Sequence, residues 1–175
     1  MNRKQRRLFS GALSLLAFGL IFSLQLECRS QNKAISCEVW QDQLVRTEGL
    51  LTKESIDFDN EQEMFNAFEC LLKLEKNKSP SMMGGATRLD VSDTTGFVSI
   101  EVAALYYVSY LFWKDWEHAG LMALTDGSGK RNDVETVEIA FKSYNDWFKR
   151  IKEIGLKKAR EKKIDPLAGS GVRWY

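Results

Sequence analysis

Histidine is almost missing from this chain. His118 is the single one among 175 residues, so no Cys/His or multi-His spacing exists to build a metal centre. Proline is nearly as scarce: Pro80 and Pro166 are the two present, and both fall at breaks between helical patterns. Three cysteines, Cys28, Cys37 and Cys70, are too few for a disulfide-dense scaffold but enough for one bond. Net charge is +1, which removes a uniformly basic or acidic surface as the basis of function. No cofactor motif survives inspection. Gly127-Ser128-Gly129-Lys130 lacks the earlier glycine of a phosphate loop, because position 124 is Leu. An EF-hand fails because Ser128 and Lys130 stand where carboxylates or amides are wanted.

What is present begins with a hydrophobic stretch, Phe97 to Leu124. Its first 17 residues, Phe97 to Trp113, hold one charge, Glu101, and the densest run of aromatics in the chain. Val98, Val102, Leu105, Ser109, Phe112 and Trp116 alternate by four and three along one helical face. Ile100, Ala104, Tyr107 and Leu111 make the opposite face apolar too. A helix that is apolar all round is either a core helix or a membrane span. Glu101, two serines and three tyrosines within so short a run argue for the core. The helix is expected to end near Ala119-Gly120 or at Leu124.

The N-terminus has a different character. Arg3, Lys4, Arg6 and Arg7 precede Leu8 to Leu26, 19 residues without a charge. A basic flank before an apolar run is the physical form of a secretory signal or a signal-anchor. Residues 1–30 are therefore read as an export segment and 31–175 as one helical domain. The expected place is the periplasm, or the inner membrane facing it if residues 8–26 stay as an anchor. Cleavage before Gln31 would remove Cys28 and leave Cys37 and Cys70 as one disulfide; two buried thiols are the alternative. Glu27 ahead of Cys28 is wrong for a bacterial lipoprotein signal.

The remaining pattern is helical. A moderate apolar stripe runs through Gln31 to Thr52. A second, with Met64, Phe65, Phe68, Leu71 and Leu72, occupies Glu61 to Lys76 behind an Asp59 or Asn60 cap. Asn77 to Gly96 has neither period and reads as a long loop, with Arg88, Asp90 and Asp93 as its charged, candidate binding residues. Asp133 caps the best-patterned helix: Val134, Val137, Phe141, Tyr144, Phe148, Ile151 and Ile154. That seam packs internally or serves a homodimer. Gly155 interrupts it, and a short basic helix from Leu156 ends before Asp165-Pro166. The expected fold is all-α, a compact bundle of about four to five helices.

Charge is segregated beneath the near-zero total. Lys149 to Lys163 carries net +6, and Glu38 to Glu75 net −7, so the two either face each other or steer a partner. The basic stretch lacks the interleaved aromatics of a nucleic-acid surface. The ending Arg173-Trp174-Tyr175 is either pinned onto its own core or presented to a partner, since these residue types dominate interface hot spots. Catalysis has one thin candidate, His118 with Asp115 or Glu117, a base beside a carboxylate with no nucleophile placed for it. The expected function is thus an exported, non-catalytic bacterial envelope protein that binds another protein, of inhibitor or immunity type. A membrane-anchored assembly component is the second reading, and a hydrolase using His118 the third.

Overall fold

The computed structural model describes residues 35–46, 51, 53–82, 98–115 and 121–175. Five α-helices lie among them: α1 (Cys37–Val45), α2 (Glu61–Leu72), α3 (Ile100–Trp113), α4 (Val134–Ile154) and α5 (Leu156–Glu161). A 3-10 turn, Lys53–Ser55, precedes α2. Two short strands, β1 (Leu124–Thr125) and β2 (Arg173–Trp174), pair antiparallel with Leu124 opposite Trp174. The fold is all-α, a compact helical arrangement, as the periodicities predict. Residues 35–175 make up one unit. None of the described helices is long and apolar enough to cross a membrane.

Helix α3 is the axis. Every residue from Ile100 to Phe112 is buried, so both of its faces are used. It packs against α1, α2 and α4, while α2 also meets α4 and α5 follows closely on α4. Trp147 is the junction of three helices: its ring stands edge-on to Phe112 of α3 at 5.0 Å and tilted against Phe68 of α2 at 5.5 Å. Offset and edge-to-face contacts of this kind add to the area that such rings bury.

The helix starts are legible in local chemistry. Asn60 and Asp133 each accept a hydrogen bond from the backbone N–H three residues on, capping α2 and α4. A second bond, from the Thr136 hydroxyl to Asp133 at 2.6 Å, holds the Asp133 carboxyl below its usual range. Gly155 ends α4 at φ +87°, a conformation that a side chain resists, and a Cβ there would meet Glu61 Oε2 at 3.4 Å.

The helix ends required more than local rules. The expected α3 ran to Gly120 or beyond; it stops at Trp113. Lys114 turns into the left-handed region at φ +62°, with its N–H on the Tyr110 carbonyl. The carbonyls this exposes are taken by Arg160, whose Nε donates to Phe112 O at 2.7 Å and whose Nη2 donates to Leu111 O at 2.9 Å. Likewise α1 covers Cys37–Val45 rather than most of 31–52, α2 stops at Leu72 rather than Lys76, and α5 at Glu161 rather than Ile164. After α2 and α5 the chain tightens, with Leu74 N–H on the Leu71 carbonyl and Lys163 N–H on the Arg160 carbonyl, whereas α1 ends in an extended Arg46.

Residues 79–82 run alongside 98–100, with Ser81 N–H on Val98 O and Ile100 N–H on Ser79 O, both 2.8 Å. The start of the expected long loop is therefore ordered against the head of α3. The stripe along α4 faces inward: Val137, Phe141, Tyr144, Phe148 and Ile151 are buried. Val134, in the first turn, lies outside it and is exposed.

Cys37 and Cys70 stand at disulfide distance, Cα atoms 5.4 Å apart, joining α1 to α2.

Candidate functional site

The segment after α5 builds recesses of mixed chemistry against the core. Asp165 ends the helical run, and its Oδ1 accepts the Leu167 N–H at 2.7 Å, a local turn that Pro166 helps to set. Two side chains of α4 hold this turn from beneath. The Ser143 hydroxyl donates to Pro166 O at 2.7 Å, and the Trp147 indole N–H donates to Ile164 O at 3.0 Å. Ser170 then closes the next turn, donating to Leu167 O and accepting the Val172 N–H. The chain arrives at β2 already fixed.

Trp174 drives inward from β2. Its indole N–H is shared between Ser109 Oγ (3.2 Å) and the Tyr144 hydroxyl (3.0 Å), which are hydrogen-bonded to each other. Its ring stands edge-on to Tyr106 at 5.3 Å. This triad satisfies three polar groups in the core, as burial demands. Burial pushes the Tyr144 hydroxyl well above its usual range, so it stays protonated and serves as a hydrogen-bonding post.

Beside the triad lies a cavity of about 200 Å³ lined by Ser109, Trp113, Asp165, Leu167, Val172, Arg173 and Trp174. A second, wider recess of about 450 Å³ lies on the other side of Asp165, against Ser143, Asp146, Trp147, Arg150 and Lys163. In the smaller one Ser109 is the only hydroxyl side chain among the described lining residues, which also include two indoles, an acid and a base.

The sequence candidates separate as follows. Arg173 and Trp174 form β2 and line the small cavity; Trp174 is pinned to the core, one of the two expectations for it. Tyr175 is outside, 58% exposed, with the Arg131 guanidinium stacked over its ring at 3.9 Å and Leu121 N–H on its carbonyl. Asp115 is exposed just past α3. His118, Glu117, Arg88, Asp90 and Asp93 lie outside the described residues, as do residues 1–30, expected to be an export segment, and Cys28 within them. Among the described residues no group of three or more His, Cys, Asp or Glu could hold a metal ion.

The segregated charges meet each other. Asp59 sits 3.7 Å from Arg160 and 2.6 Å from Lys114, whose hydrogen bond and charge hold its carboxyl below the usual range. Glu69 lies 3.9 Å from Lys152, and Glu61 accepts the Leu156 N–H at 2.5 Å, capping α5.

Sequence reasoning missed Asp165 and Ser109 as site residues. Asp165 read as a helix stop, and Ser109 as a small residue within an apolar stripe. A lone serine in a stripe of large side chains was the available signal. No protein-family model, no curated protein and no solved structure matches this chain.

Proposed function

We propose that the chain is an exported, non-catalytic protein of the bacterial envelope whose work is to bind another protein, in the manner of an inhibitor or immunity protein. The observation that carries the reading is the surface at Tyr175. An aromatic ring and a guanidinium are stacked and presented outward beside exposed Leu121, on a ribbon locked by Trp174. Tyr and Arg held rigid before contact lose little freedom on binding and are the residue types that dominate interface energies. Export is supported by the basic-then-apolar N-terminus and by Cys37 and Cys70 at bonding distance, which suits an oxidising compartment.

The test places a photo-crosslinking amino acid at position 175 of the full-length chain, in a bacterium with an oxidising periplasm. Crosslinks to one protein that disappear in Arg131→Ala, with melting temperature unchanged, support the reading. Crosslinks that are absent, or indifferent to Arg131, overturn it. Intact mass with and without reduction and alkylation decides the compartment on the same material. A chain starting near Gln31 with both thiols masked is the expected result. Full-length protein confined to membranes would favour the anchored assembly component, for which Leu8 to Leu26 is long enough.

A further inference from the structure

Asp165 and Arg173 line the same cavity of about 200 Å³, and neither is in an ion pair among the described residues. Both residues are exposed, so each charge is open to a ligand. The Asp165 Oδ1 is committed to the Leu167 N–H, which fixes the carboxylate's orientation and leaves Oδ2 free to accept. Trp113, Trp174, Leu167 and Val172 also line the cavity, together with the buried Ser109.

We propose that this cavity binds a free, zwitterionic α-amino acid with an aliphatic side chain. Asp165 takes the ammonium group, Arg173 takes the carboxylate, and the side chain lies between the two indoles. A plain cation would be opposed by Arg173, and a plain anion by Asp165; a ligand carrying both charges satisfies both. Among the described residues a divalent metal would find a single carboxylate, too few oxygen ligands. The volume matches about seven water molecules at the liquid density, the size class of valine or leucine rather than of a nucleotide or sugar chain. The walls are set before binding, since Trp174 is held by Ser109 and Tyr144 and the Trp113 ring stands edge-on to Phe112 at 4.7 Å. The site is independent of the Tyr175 surface, so either can fail without the other.

The experiment is calorimetric titration of the purified mature chain with L-leucine, followed in parallel by tryptophan fluorescence. N-acetyl-L-leucine, which lacks the ammonium, and L-leucinamide, which lacks the carboxylate, are the matched probes. L-leucine is expected to bind, and each blocked form to bind about tenfold or more weakly, the size of a lost charge-assisted hydrogen bond. Asp165→Asn keeps the acceptor for the Leu167 N–H, and Arg173→Gln alters an exposed side chain, so both are expected to keep the fold by circular dichroism. Asp165→Asn should erase the preference for L-leucine over its acetylated form but not over the amide. Arg173→Gln should do the reverse. No heat and no fluorescence change with L-leucine at about 10 mM, well beyond millimolar affinity, would overturn the proposal. So would binding that is indifferent to both substitutions.

Discussion

The two ends of α3 are held by opposite charges, and they differ in where those charges come from. At the head, Glu101 sits in the helix's own first turn, almost entirely buried. It accepts Lys76 N–H at 3.1 Å and the Lys78 ammonium at 2.5 Å, with Ser99 Oγ at 3.4 Å. At the tail, the guanidinium of Arg160 arrives from α5 and donates to three carbonyls: Leu111, Phe112 and Phe58. Both signs suit the helix dipole, an anion at the amino end and a cation at the carboxyl end. Burial pulls the Arg160 pKa down, with Asp59 opposing that shift, but an arginine stays charged under all ordinary conditions. An apolar helix has no preferred height or rotation in an apolar core. Two charged clamps supply both, the first from within the helix and the second from a residue 48 positions after the carbonyl it binds.

Breaking the tail clamp should have the larger effect. Arg160→Met leaves three carbonyls in the core without a donor, and we expect a loss of about 3 kcal/mol or more in chemical denaturation. Arg160→Lys should recover little of it, because one ammonium cannot reproduce the planar fork. A lysine variant as stable as the parent would show that charge alone, not geometry, fixes the tail. Glu101→Gln at the head keeps an acceptor for Lys76 N–H and loses the charge, for an expected cost of about 1–2 kcal/mol. Lys78 is half in solvent, so Lys78→Ala should cost less than about 1 kcal/mol and less still in high salt. Equal losses at Glu101 and Lys78 would mean that the ion pair, rather than the buried carboxylate with its backbone donor, sets the head.

The smallest effect is a pH dependence, and it comes from a buried carboxylate without a clamp. Glu63, near the start of α2, has one oxygen with no hydrogen-bond partner; burial raises its carboxyl above the usual 4.5, and the Asp57 charge adds to the rise. A raised acid contributes stability below its ordinary value and loses it as pH climbs through the folded value. Native protein should therefore lose a little stability from about pH 4.5 upward, a slope that Glu63→Gln removes. Asp133 is the control with the opposite sign. Its lowered carboxyl contributes above the ordinary range and is lost only in strong acid, so Asp133→Asn should flatten the acid limb instead. Parallel slopes in the native and Glu63→Gln proteins would refute the assignment.

Legibility followed distance along the chain. The caps Asn60 and Asp133, the break at Gly155 and the inward stripe of α4 were readable because each partner lies within one or two turns. The premature end of α3 was not. Nothing in the sequence between Trp113 and Gly120 forbids a helix, and the chain turns at Lys114 where Arg160 donates to the carbonyls of the last turn instead. The strands were invisible for a related reason: two residues each, with their pairing decided by partners 50 positions apart. The small cavity was half-readable. Arg173 and Trp174 stood out by residue type, while Asp165 and Ser109 acquire their place only when α3, α4 and the final ribbon converge.

By itself the sequence determined that this is a helical protein built on one wholly buried helix, with Glu101 as the charge that helix must accommodate and Cys37 and Cys70 as a pair available to bond. These follow from periodicity, capping and burial, which act between near neighbours and need no knowledge of the fold. Only the tertiary structure decided where α3 stops, that the acidic and basic stretches neutralise each other at Asp59–Arg160 and Glu69–Lys152, and that Asp165 and Arg173 share a cavity. The reason is that a buried charge or carbonyl takes whichever partner packing brings within hydrogen-bond reach, and that choice is made in space, not along the chain.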